Sequence, residues 1–217
     1  EIVQEHGTHG ERLSRHEGFL HEEAIIFGSG PSLLELSEKE REHLRTQGTI
    51  GMNRYYVFDD LIGVSPTYVY LGDYGSKLGT QLFKTFCHKA GASARPPVFL
   101  LEAYYSLMAP PFMQTLYFHR PDGGTNLAWS RSLDEPLFNH RGSLTSLLNL
   151  CGILRLAPHI RLLGVDLDRP GHFFDCRREQ FPQLFGKLDD EANRKGGHST
   201  MVYIKRMGAK PQETVLT

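Results

Sequence analysis

The chain has 217 residues, 40% hydrophobic and 23% charged, the composition of a soluble globular protein with room for one core. A formal net charge of −1 supplies no basic field able to hold duplex nucleic acid by counterion release, which argues against a nucleic-acid partner. Cys87, Cys151 and Cys176 lack CxxC spacing, which argues against a disulfide framework or structural zinc site and fits a reducing, cytoplasmic setting.

Residues 1–22 carry His6, His9, His16 and His21 among polar neighbours without an apolar period, and read as an N-terminal arm. No basic-then-apolar leader and no membrane-length apolar run is present in the sequence, and the missing initiator Met points to a trimmed chain or one domain of a longer protein. Residues 23–217 read as a single domain. Its first element is a short buried strand at 24–28, running into Gly28-Ser29-Gly30-Pro31-Ser32-Leu33. Glycines there permit close backbone approach, Pro31 suits a first helical turn, and Ser29 or Ser32 can satisfy its amides. Such a turn at a helix N-terminus can cradle a phosphate; a tight strand-to-helix connection without a ligand is the alternative.

Ser32–Thr46 is predicted as an exposed helix, followed by strands at Thr49–Asn53, Pro66–Leu71 and Pro97–Leu101, a helix at Ser143–Leu156 and a strand at Ile160–Val165. This alternation predicts an α/β fold: a Rossmann-like, mainly parallel sheet flanked by helices. Asn53, Asp73 and Asp166 each fall just past a predicted strand, at the edge where open α/β sheets bind ligands. Each is also an ordinary turn or cap residue. Between 102 and 141, Pro110-Pro111, Asp122-Gly123-Gly124 and Asp134-Glu135-Pro136 punctuate aromatic residues including Tyr104, Phe112 and Trp129. This stretch is expected to be a lid-like insertion over an acceptor or a satellite hydrophobic cluster.

Four blocks in order resemble the bacterial sialyltransferases that use CMP-activated sialic acid, and their relatives acting on CMP-Kdo-type donors. They are Phe27–Leu33, Gly51-Met52-Asn53-Arg54-Tyr55-Tyr56, Gly142-Ser143 through Leu163-Gly164-Val165-Asp166, and Gly196-Gly197-His198-Ser199-Thr200. The resemblance implies transfer of a sialic-acid-like or Kdo-like keto-sugar from its CMP donor to a glycan or lipid-linked acceptor, with His198 as general base. It places Gly28, Ser29, Gly30, Pro31 and Ser32 at the phosphate and ribose, Asn53 at the nucleotide or phosphate, and Ser143 with Gly142 facing the donor. Asp166 would line the same edge, and Tyr55, Tyr56 or Tyr203 could steady the leaving phosphate. Arg141 could pair with the donor's carboxylate.

No cofactor is required on this reading. Asp166-Leu167-Asp168 makes Mg²⁺ or Mn²⁺ binding a second choice. Two other readings stand beside it: an ATP-dependent pterin pyrophosphokinase-like enzyme, and a non-catalytic nucleotide- or glycan-binding module. The expected location is cytoplasmic, with peripheral association at the inner face of the membrane left open, as are oligomeric state and acceptor.

Overall fold

The computed structural model describes residues 18–72, 77–119, 126–139, 142–166 and 169–194. Six parallel strands form one sheet: β1 (Glu23–Phe27), β2 (Gly48–Met52), β3 (Tyr68–Leu71), β4 (Val98–Glu102), β5 (Thr115–Phe118) and β6 (His159–Leu163). Their order across the sheet is β5-β4-β3-β2-β1-β6. The helices are α1 (Glu38–Leu44), α2 (Lys77–Gly91), α3 (Ser143–Ile153) and α4 (Lys187–Arg194), with short 3-10 turns between several elements. This is the Rossmann-like α/β arrangement expected from the sequence.

Strands in such a sheet are apolar on both sides because both faces are covered. Ile25, Phe27, Val69, Leu71, Phe99 and Leu101 pack into one core with Tyr55, Phe58, Leu82 and Phe86. Ile26, Ile50, Tyr68, Tyr70, Leu100 and Leu116 alternate into a second core against Leu147 and Leu150 of α3 and Leu154 just after it. Burying one such side chain stabilises the fold by about 1.5–3 kcal/mol, so the sheet is fixed from both sides.

Two expectations change. The predicted helix Ser32–Thr46 is instead a five-residue 3-10 turn, Pro31–Glu35, followed by the separate helix α1. Leu36 breaks the run with ψ 127°, and Ser37 then starts α1 with a complete capping box: its hydroxyl accepts from Glu40 N–H and the Glu40 carboxylate accepts from Ser37 N–H. Within 102–141, Thr115–Phe118 is the edge strand β5, paired to β4. Residues 126–139 are held to α3 by Asn149, whose Oδ1 accepts from Ser130 and Phe138 N–H and whose Nδ2 donates to Ser130 O.

Candidate functional site at the topological switch

After β1 the chain steps outward through β2, β3, β4 and β5, and β6 returns to the opposite side of β1. The crevice beyond the carboxyl ends of β1 and β6 is therefore the topological switch point, the usual ligand position in open α/β sheets. The glycine turn lies there. Phe27 pairs with Leu163 on one side and Gly51 on the other, and beyond it Gly30 N–H donates to Gly164 O, one residue short of the continued ladder, so the register ends here and the chain turns.

Both turn glycines are required by close approach. A Cβ on Gly28 would overlap the Gly164 carbonyl, and one on Gly30 would overlap the Asp166 carboxylate. Gly28 N–H donates to Leu163 O and Gly30 N–H to Gly164 O, both at 2.7 Å. Gly164 itself takes φ +66°, which brings the end of β6 onto the turn and against Leu33.

Asp166 faces this turn. Its carboxylate accepts from Ser32 N–H at 2.8 Å and from the Ser32 hydroxyl at 2.6 Å. The turn thus carries its own anion at the amide expected to receive a phosphate. It enters a 3-10 turn of five residues, so the helix-terminal phosphate cradle inferred from the sequence is revised, and Ser32 and Asp166 become partners in shaping the turn.

At the neighbouring strand ends, Asn53 sits at φ +48°, a left-handed conformation that Asn tolerates better than most residues. Its Oδ1 accepts from Gly72 N–H at 3.0 Å. A Cβ on Gly72 would come within 2.8 Å of the Ser143 hydroxyl, so Asn53, the end of β3 and the start of α3 meet at one place. Gly142 precedes α3 at φ +150° and provides no side-chain cap, and the first turn of this eleven-residue helix carries no acidic residue. The positive end of its dipole lies at the same edge as Asn53.

A group that sequence reasoning missed completes the site. His172 Nδ1 is 3.2 Å from the Ser29 hydroxyl, and Phe173 N–H donates to Ser29 O at 3.0 Å. The His172 ring stacks on Phe174 at 5.0 Å, and its Nε2 lies 3.9 Å from Asp189 Oδ1. Asp189, 4% exposed, receives both Arg54 Nη groups at 3.2 and 2.6 Å and Gly186 N–H at 2.7 Å. Arg54 lies over the Phe174 and Phe185 rings. Ser29, His172, Asp189 and Arg54 thus join the turn after β1 to the turn after β2 through α4. The Phe27–Leu33 and Gly51–Tyr56 blocks contain Ser29 and Arg54, but no sequence signal marked His172 or Asp189, and positions 29, 172 and 189 share no short spacing.

Tyr55 and Tyr56 are both buried in the core. Tyr55 is fully buried, stacked on Phe27 at 4.4 Å, and its hydroxyl donates to Val64 O. Burial raises the Tyr55 phenol well above its ordinary range and pushes Tyr56 up to about 12, with Asp59 adding to both. Asp73, Arg141, Asp168, His198 and Tyr203 lie outside the described residues. Among the described residues, no group of three His, Cys, Asp or Glu side chains is placed to hold a metal ion, and no helix is long and apolar enough to cross a membrane.

No protein-family model and no curated protein matches the chain. One solved structure similar to it is the MAf glycosyltransferase from Magnetospirillum magneticum AMB-1, at 17% identity and a TM-score of 0.49. The match covers 72% of this chain and 24% of that one, so the chain spans about a quarter of that protein's length.

Proposed function

We propose that the protein is a glycosyltransferase that moves a sialic-acid-like or Kdo-like keto-sugar from a CMP donor to a glycan or lipid-linked acceptor. The observation carrying this reading is that Asn53 meets Ser143 and the α3 N-terminus at the switch-point edge, with Ser29 tied to the turn after β2 through His172, Asp189 and Arg54. Ser29, Asn53 and Ser143 are positions that the sialyltransferase-like sequence blocks assign to the donor. Hydroxyl and amide donors on fixed backbone suit a phosphate that gains charge as the anomeric carbon–oxygen bond breaks. With Asn53 Oδ1 engaged by Gly72, its Nδ2 group is the end offered to such an anion.

In this reading CMP leaves with the bonding electron pair while the sugar passes through an oxocarbenium-like state. His198 takes the acceptor hydroxyl proton as that oxygen attacks; a neutral imidazole near its ordinary pKa is suited to the task.

Calorimetric titration with CMP, CDP, UDP and ATP, with and without EDTA, tests the donor class. CMP binding that persists in EDTA is expected, with turnover of CMP-sialic acid or CMP-Kdo that His198→Ala abolishes. Metal-dependent ATP binding without CMP binding would overturn the proposal in favour of diphosphate transfer.

A further inference from the structure

We infer that phosphate binding at this site is coupled to protonation of His172, through the direction of one hydrogen bond to Ser29. The inference rests on the nucleotide reading above and deepens it. The imidazole is held by Ser29 at Nδ1, by stacking on Phe174, and by the Asp189 carboxylate beside Nε2. A carboxylate on that side favours a proton on Nε2. In the neutral ring Nδ1 is then a lone pair, and the Ser29 hydroxyl must donate to it.

A hydroxyl engaged in that way turns oxygen lone pairs toward the crevice, which repels a phosphate. When Nδ1 is also protonated, the bond reverses: Nδ1–H donates to Ser29 Oγ and the serine hydrogen is released toward the anion. The other escape, moving the proton from Nε2 to Nδ1 in a neutral ring, leaves a bare nitrogen facing Asp189. Anion binding therefore takes up one proton.

Among the described residues, four carboxylates and two guanidinium groups lie around the ring. Asp189 is paired with Arg54 from the turn after β2, while Asp175, which accepts from His172 N–H at 2.7 Å, is paired with Arg178. Arg178 also pairs with Asp190 of α4, and Asp166 lies on the far side of the turn with Ser32. The incoming phosphate adds to this excess of carboxylate charge and draws His172 further toward its protonated form.

The probe is the methyl ester of cytidine 5′-monophosphate, a phosphodiester like the sugar donor, whose own charge stays constant between about pH 5.5 and 8.5. Wild-type affinity is expected to weaken by up to about tenfold per pH unit above the pKa of free His172. Calorimetry in buffers of different ionisation enthalpy should show uptake of one proton. In NMR, the His172 Cε1–H titration, assigned by its loss in His172→Gln, should shift to higher pH on saturation.

Both His172→Gln and Ser29→Ala should flatten the pH profile, so the test does not depend on one variant folding. A flat wild-type profile, or an unchanged slope in both variants, overturns the coupling and leaves nucleotide binding standing. Failure of both CMP and its methyl ester to bind at any pH overturns the nucleotide reading and the coupling together.

Discussion

Asp166 shows how one residue's position changes its meaning. Its place after a strand expected to be buried suggested a ligand contact, but β6 is a partly exposed edge strand and the carboxylate is committed to Ser32, far away in sequence. Hydrogen bonds to an ionised group stabilise by about 1.5–3 kcal/mol, and loss of the carboxylate strands the Ser32 amide in a crowded turn. Asp166→Ala is expected to cost about 2–3 kcal/mol in urea denaturation and to weaken nucleotide binding through a loosened turn. Gly28→Ala should be harsher, because its new methyl group meets a backbone carbonyl that has no rotamer with which to yield. An Asp166→Ala protein of unchanged stability would show that the turn is set by backbone contacts alone.

The strands were legible because a covered parallel sheet demands continuous apolar runs, and Ile25–Phe27, Tyr68–Leu71 and Phe99–Leu101 are such runs. β5 was not, since Thr-Leu-Tyr-Phe is short and lies among prolines and loop aromatics. The misread helix at 32–46 is more instructive. Ser37-x-x-Glu40 is a helix-start signal written in the sequence, and it was outweighed by a leucine spacing that crosses the break at Leu36. Ser37→Ala should lower stability by about 1 kcal/mol with little change in nucleotide affinity, since the capping box lies on the exposed surface of α1. Equal denaturation midpoints for the two proteins would argue that tertiary packing alone holds α1. The His172–Asp189–Arg54 group was illegible for another reason: three distant positions meet only after the sheet and α4 are assembled.

For the molecule as a whole, pH acts first through the junction between the N-terminal lead-in and the sheet. His21 N–H donates to Leu156 O, its Nε2 is 3.1 Å from the Tyr68 hydroxyl, and its ring lies over Gly48. Burial lowers its pKa below the ordinary 6.5. The unfolded chain therefore binds a proton before the folded one does, and His21's contribution, present above about pH 6.5, is lost as pH falls through the folded value. Thermal midpoints should decline over that window in the wild type, and His21→Gln should remove that part of the decline. Equal pH profiles for the two would place the titrating group elsewhere.

The return of β6 to the open edge of β1 also orders events in time. Ser32 is made early, whereas its partner Asp166 is made 134 residues later. On the ribosome β1 can pair with β2 as soon as both emerge, yet its other edge and the glycine turn stay unfinished until β6 arrives. Contacts so distant along the chain are slow to form, because a long loop must close first. The switch-point crevice is thus among the last parts of the sheet to mature, so a chain stalled after α3 would hold most of the core while the glycine turn stayed unshaped.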